Sequence, residues 1–246
     1  MANVSASTVF HFTNSFDSIQ GILNGQAFRV QHCAEEFRLD RRVFRYLIPM
    51  VSLCDIPLTA ALPHMKSYGQ YGIGLSKEWA RKIRLNPVLY LSQNSYLSSS
   101  LYSVFDRVGR HGNAKSTDSR FRDIFRYLKN ERGPHPKHSG KTYLFLNERE
   151  WRYVPDYVPS EDGGIHILKG MTEREIADKK STLNQRAGLD LLQFQLSDIR
   201  YIILKSVHEF EISLEQICAS LPSISEHDRL NLARKYLLAS QIRLDF

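Results

Sequence analysis

Apolar and polar positions alternate along this chain in short runs, each closed by Gly, Pro or a small polar residue. Period-two runs predict strands and 3.6-period runs predict helices. Thr8 to Thr13 reads as a strand, and Asn14 or Ser15 caps a helix over 16–23 that Gly25 ends. Val51 to Cys54 is a second apolar strand, stopped by Asp55-Ile56-Pro57, and 58–66 is a short helix. Tyr71 to Leu75 has strand character, Ser76 caps a helix reaching Lys82, and Pro87 to Leu91 is a further strand.

The middle and the later part read differently. Residues 94–129 carry a mostly helical pattern, interrupted over 109–115, and Gly133, Pro134, Pro136 and Gly140 mark 132–141 as a loop. Strand-like runs return at 142–146 and 148–154, with another at 165–168. Thr172 and Glu175 form a capping box over a helix at 173–180. The run 198–205 is β-like. Two helices follow at 213–221 and 226–242, the last with Leu230, Ala233, Leu237 and Leu238 on one face. The pattern predicts an α+β domain over 1–205, with a basic helical insertion at about 94–141, and a C-terminal helical segment over 206–246 packed on it.

Composition narrows the class. A chain of 246 residues with 42% hydrophobic and 11% aromatic content buries a proper core, as one large domain or two small ones. No window approaches the roughly 18 apolar residues of a membrane span, and the first residues lack the basic and apolar regions of a signal peptide. Three cysteines (Cys33, Cys54, Cys218) without a C-x-x-C motif fit a reducing cytoplasm and argue against a zinc knuckle or a disulfide scaffold. His32 beside Cys33 makes no nucleophilic dyad, because neighbouring strand residues face opposite ways. His111, His135 and His138 lack nearby carboxylates, so no metal site is expected.

Charge adds a partner. Ten Lys/Arg and three acids lie between Arg107 and Lys141, an excess equal to the whole chain's net charge of +7. A concentrated basic segment suits a polyanion, with Arg120, Arg122 and Arg126 on a helical element and Lys137 and Lys141 on a loop. The alternative is a solubilising segment.

Three groups of residues carry candidate chemistry. His11 and Thr13 share one strand face, so imidazole and hydroxyl can meet the same ligand; otherwise His11 is a core-edge histidine bonded to backbone. The stretch Tyr68 to Ala80 combines glycines, which admit close backbone approach, with Tyr71 and Trp79, which can stack on a ring; otherwise it is a glycine-rich turn with Trp79 in the core. Glu148 and Glu150 alternate on one strand face about 7 Å apart, placed for acid–base or electrostatic work. The alternative for them is a solvated face paired with Arg149 or Arg152.

Together these segments resemble known families. His11-Phe12-Thr13-Asn14 followed by a capped helix is similar to the opening of ADP-ribosyltransferase-like proteins. Gly72-Ile73-Gly74-Leu75 is similar to the Gly-Ile-Tyr-Phe segment of poly(ADP-ribose) polymerases, with Gly74 where their tyrosine stands. Cys54-Asp55-Ile56-Pro57, the run Tyr68 to Leu75, Pro87 to Tyr90 and Glu148 to Arg152 make the whole most similar to the AbiGi-type abortive-infection family, over about residues 8–205. The resemblance implies an ADP-ribosyltransferase-like split, mostly antiparallel sheet with flanking helices. It implies transfer of ADP-ribose from NAD to a nucleic acid or protein acceptor during phage defence. His11 and Thr13 would anchor NAD, Tyr71 or Trp79 would stack on nicotinamide, and Glu150, or else Glu148, would stabilise the ribosyl cation. Two rivals stand beside it. One is a non-enzymatic antitoxin or regulator that binds nucleic acid or a partner protein of a defence operon. The other is an NAD hydrolase.

Overall fold

The computed structural model describes residues 6–110, 124–135, 142–155, 166–187 and 190–245. It is a mixed α+β fold whose sheets are mainly antiparallel. The chain divides into two compact units, each built from separated segments. One holds residues 1–28, 52–85 and 191–246; the other holds 29–51 and 86–190. Residues 206–246, expected as a helical segment packed on the main domain, are grouped with 1–28, 52–85 and 191–205 in the first unit.

In the first unit the strand Thr8–Thr13 pairs antiparallel with Tyr71–Ser76 along its whole length, from Thr8 against Ser76 to Thr13 against Tyr71. Ile199–Leu204 lies antiparallel on the other side of Tyr71–Ser76, and Tyr236–Leu238 runs parallel to Ile199–Leu204. All six residues of Tyr71–Ser76 are buried, as befits an interior strand covered on both faces. Its glycines have a packing reason. Phe10 and Phe12 stand opposite Gly74 and Gly72, and their rings stack with centroids 5.7 Å apart. A Cβ on Gly74 would lie 2.7 Å from Phe10 Cε1 and 2.8 Å from Thr8 Cγ2. The two rings therefore fill the space that side chains at 72 and 74 would need. They join Met65, Ile203 and Ile242 in one core.

Several local signals act as expected. Ser15 accepts from Ser18 N at 3.3 Å at the start of the helix Phe16–Gly25, and Ser76 accepts from Trp79 N at 3.1 Å. Thr172 and Glu175 cap Glu173–Ala187 reciprocally. The expected helix over 226–242 is instead interrupted: Glu226–Ala233 is helical, Tyr236–Leu238 is a strand, and Ala239–Asp245 is helical again. Leu237 and Leu238 lie opposite Ile203 and Leu204, so sheet pairing overrides their helical spacing.

The second unit centres on a hairpin absent from the sequence expectation, Gln31–Leu39 with Arg42–Cys54, turned at Asp40 and Arg41. Residues 42–51 of its second strand belong to this unit and 52–54 to the first. Phe37 stacks between Tyr46 and Phe125 at 5.4 and 5.3 Å in a core with Ile48, Met50 and Leu128. Leu89–Leu91 pairs parallel with Leu128–Asn130, and Glu150–Tyr153 pairs antiparallel with Asn86–Pro87. Within the expected insertion, Tyr96–Arg110 is helical and 124–127 is a helical turn. The strand expected at 142–146 is short, Thr142–Tyr143, because a 3-10 turn follows over Phe145–Glu148.

Candidate functional site

Glu148 closes that 3-10 turn, Arg149 adopts a left-handed conformation (φ 46°), and Glu150 opens the next strand. The two carboxylates thus converge through a left-handed residue rather than by strand alternation. Lys129 joins them: its Nζ donates to Glu148 Oε2 at 3.1 Å and to Glu150 Oε2 at 2.8 Å. Arg152, two residues along the same strand face, grips Glu150 with Nε to Oε1 at 2.6 Å and Nη2 to Oε2 at 3.1 Å. Its Nη2 also reaches Glu35 Oε2 at 2.8 Å, and its Nη1 donates to the Arg126 carbonyl at 2.8 Å. The Glu150 backbone N–H donates to the Tyr90 hydroxyl at 2.9 Å. Arg152 is wholly buried and Glu150 nearly so.

The cluster is an ionic clamp. Burial alone pushes the Glu150 carboxyl towards neutrality, but the Arg152 and Lys129 charges and their hydrogen bonds outweigh it and hold its pKa well below the usual carboxylate range. Burial likewise opposes the charges of Lys129 and Arg152. The surrounding carboxylates win, raising both pKa values above their ordinary ones. Lys129 further lies 4.8 Å over the Phe145 ring. The pairing of Glu150 with Arg152 is therefore present, on a buried face rather than a solvated one. Lys129 and Glu35 carried no local sequence signal.

The other candidate residues are committed to packing. His11 Nδ1 donates to the Ser52 carbonyl at 3.1 Å, and the ring meets the Phe28 ring edge-on at 5.2 Å. A carbonyl acceptor assigns the proton to Nδ1, and burial lowers the His11 pKa more than the Ser52 bond raises it. Thr13 stands opposite Tyr71 in the ladder. The Tyr71 hydroxyl donates to Glu209 at 2.7 Å, and its pKa is pushed up to about 12 by burial and then by Glu209. Lys205 Nζ covers the Tyr71 ring at 4.4 Å. Trp79 is buried among Phe28 and Phe194, and its Nε1 donates to the Gln193 carbonyl at 3.0 Å. His11, Thr13, Tyr71 and Trp79 belong to the first unit, Glu148 and Glu150 to the second.

Of the basic residues expected to meet nucleic acid, Arg120, Arg122, Lys137 and Lys141 lie outside the described residues. Arg126 is buried and donates Nη1 to the Pro155 carbonyl at 3.2 Å, so it is a structural arginine. Among the described residues no group of three or more His, Cys, Asp or Glu side chains is placed to hold a metal ion. None of the described helices is long and apolar enough to cross a membrane.

A family model described as "Putative abortive phage resistance protein AbiGi, antitoxin" matches residues 26–205. The chain belongs to the AbiGi family. It is also similar to a protein of Lactococcus lactis subsp. cremoris named abortive phage resistance protein AbiGi, with 28% identity over 220 residues, covering 80% of this chain and 86% of that protein. No solved structure matches the chain. The AbiGi match corrects the expectation of an NAD-dependent ADP-ribosyltransferase, and with it the NAD substrate and the catalytic role of Glu150, because the family is described as one of antitoxins. The geometry is in keeping with this: both Glu150 oxygens already accept from Arg152 or Lys129, and Tyr71 and Trp79 are buried, with Lys205 over the Tyr71 ring.

Proposed function

We propose that this protein is the antitoxin of an abortive-infection pair and acts by binding a partner protein of the same defence operon. The observation that carries this reading is the AbiGi match over 26–205, which takes in the whole second unit and residues 26–28, 52–85 and 191–205 of the first. The buried Glu35–Arg152–Glu150–Lys129–Glu148 cluster supports it as scaffold: its charges organise one unit instead of awaiting a substrate. We read the antiparallel sheet of Thr8–Thr13, Tyr71–Ser76 and Ile199–Leu204 as part of an ADP-ribosyltransferase-like split sheet used for binding. Neutralisation then follows mass action: the ratio of bound to free toxic partner equals the free concentration of this chain over Kd.

The test is co-expression. A partner that arrests growth when made alone should be silenced by this chain and should co-purify with it at a fixed stoichiometry. Growth arrest that persists with the folded chain in excess, or NAD consumption by the pure chain at an enzymatic rate, would overturn the reading.

A further inference from the structure

The second unit contains an open cleft of about 620 Å³ lined by Arg38, Ser92, Gln93, Asn94, Arg132 and Thr142 among others. We propose that this cleft binds a phosphate ester, held by the guanidinium groups of Arg38 and Arg132. The inference rests on the cleft alone and is independent of the antitoxin reading.

The lining chemistry selects the ligand. Two guanidiniums supply planar forks that match phosphate oxygens, and the carboxamides of Gln93 and Asn94 and the hydroxyls of Ser92 and Thr142 add neutral donors. Among the described lining residues the one carboxylate is Glu131, which already faces Arg132 Nε at 3.3 Å. Arg38 Nη2 meets Glu36 Oε1 at 3.1 Å. Both pairs are open to water, with the arginine side chains 41% (Arg38) and 63% (Arg132) exposed, so they exchange readily for a phosphate. A cationic ligand would meet two like charges, and an apolar one would take the polar side chains of Ser92, Gln93, Asn94 and Thr142 out of water.

The cleft is also built before any ligand arrives. Buried Asn130 ties three of its walls together. Its Oδ1 accepts from Arg38 N at 2.6 Å, and its Nδ2 donates to Arg38 O at 3.0 Å and to Leu91 O at 3.3 Å. Leu91 leads directly into Ser92, whose carbonyl accepts from Ser95 N at 3.2 Å and from Ser95 Oγ at 2.9 Å, fixing the turn that carries Gln93 and Asn94. Glu131 N donates to Leu91 O at 3.0 Å, and Glu131 O accepts from Leu146 N at 3.1 Å. The pairing of Gly133–Pro134 with Thr142–Tyr143 then sets Thr142 on the remaining wall. Such preorganisation lowers the ordering cost of binding.

A free nucleotide and the backbone of single-stranded nucleic acid both present a phosphate ester, and calorimetry or anisotropy at low salt separates the two. The full chain is titrated with ADP and, separately, with a ten-residue single-stranded oligonucleotide. At least one should bind. A saturable 1:1 ADP isotherm assigns a free nucleotide. Binding of the oligonucleotide alone, weakening steeply with salt, assigns the nucleic-acid backbone. The double variant R38Q/R132Q should lose at least about tenfold in affinity, the scale of charge-assisted contacts, while R81Q/K82Q, which removes two exposed cations of the other unit, stays within about twofold. If the double variant does not fold, Arg132→Gln alone decides, since that side chain is largely in water. Binding of neither probe, undiminished binding by the cleft variant, or an equal loss in R81Q/K82Q overturns the proposal.

Discussion

Arg152 and Glu150 form a two-point ion pair, Nε to Oε1 at 2.6 Å and Nη2 to Oε2 at 3.1 Å, from positions two apart on one buried strand face. Removing one partner of such a pair leaves the other charge buried and uncompensated. Glu150→Gln is therefore expected to destabilise the fold by about 3–5 kcal/mol, measured by urea unfolding. Glu148→Gln removes the acid bonded to Lys129 at 3.1 Å and leaves the Arg152–Glu150 pair in place, and it should cost less. A Glu150→Gln protein as stable as the parent would show that the clamp contributes nothing.

The same pair makes the protein acid-labile. Glu150 has a depressed native pKa, so its contribution is fully present above the unfolded glutamate value of about 4.3 and is lost as pH falls towards the native one. His11 and His32 add an earlier loss. Burial holds both imidazoles below their ordinary pKa, so below about pH 6.5 the unfolded chain takes up protons that the native one refuses. Thermal melting should fall between pH 7 and 5, then again below about 4. His11→Asn keeps a donor for the Ser52 carbonyl but cannot titrate, and it should flatten the first fall. An unchanged slope would remove His11 from the account.

How much of this was legible beforehand depends on distance along the chain. Ser15, Ser76 and Thr172 were readable as caps because a cap and its partner lie three residues apart. Of the hairpin 31–54, the end Val51–Cys54 is legible as an apolar strand, but Gln31–Leu39 is not, because its inward face carries Glu35 towards Arg152, which breaks the apolar alternation that marks a strand. The convergence of Glu148 and Glu150 was expected, but its agents were not. Lys129 lies some twenty residues away, and the left-handed Arg149 that turns the chain has no composition signal. The glycines of Tyr68 to Ala80 suggest close backbone approach to a ligand, and Gly74 is one of them. The room it leaves is taken by Phe10, a fact visible only once strand register is known.

Gly74→Ala tests that register. Its new Cβ would press on Phe10 and Thr8 at under 3 Å, so either the Phe10 ring or the strand must shift. Overpacking of this kind typically costs about 1–3 kcal/mol. The melting temperature should fall, with Phe10→Leu in the same chain recovering part of the loss. A neutral Gly74→Ala, or no recovery in the pair, would contradict a tight Phe10–Gly74 contact.

Trp79→Phe keeps the aromatic packing against Phe28 and Phe194 but deletes the Nε1 donor of the Gln193 carbonyl. A loss of about 1–2 kcal/mol is expected from the orphaned acceptor. Growth protection by the co-expressed variant should persist wherever it remains folded. Lost protection in a variant of normal stability would place Trp79 in function rather than in the core.

The discontinuous make-up of the two units sets a timetable for synthesis. A ribosome delivers Thr8–Thr13 and Tyr71–Ser76 early, yet Tyr71–Ser76 has an open edge until Ile199–Leu204 emerges, and that strand in turn waits for Tyr236–Leu238. The unit made of 29–51 and 86–190 has all its residues sooner. During translation the earliest sheet therefore remains an unsaturated template, open to chaperones or to mispairing, for more than a hundred residues. Interrupted translation after residue 190 would release a chain with one unit whole and the other lacking its outer strands, so the pool of finished protein tracks completed synthesis rather than initiation.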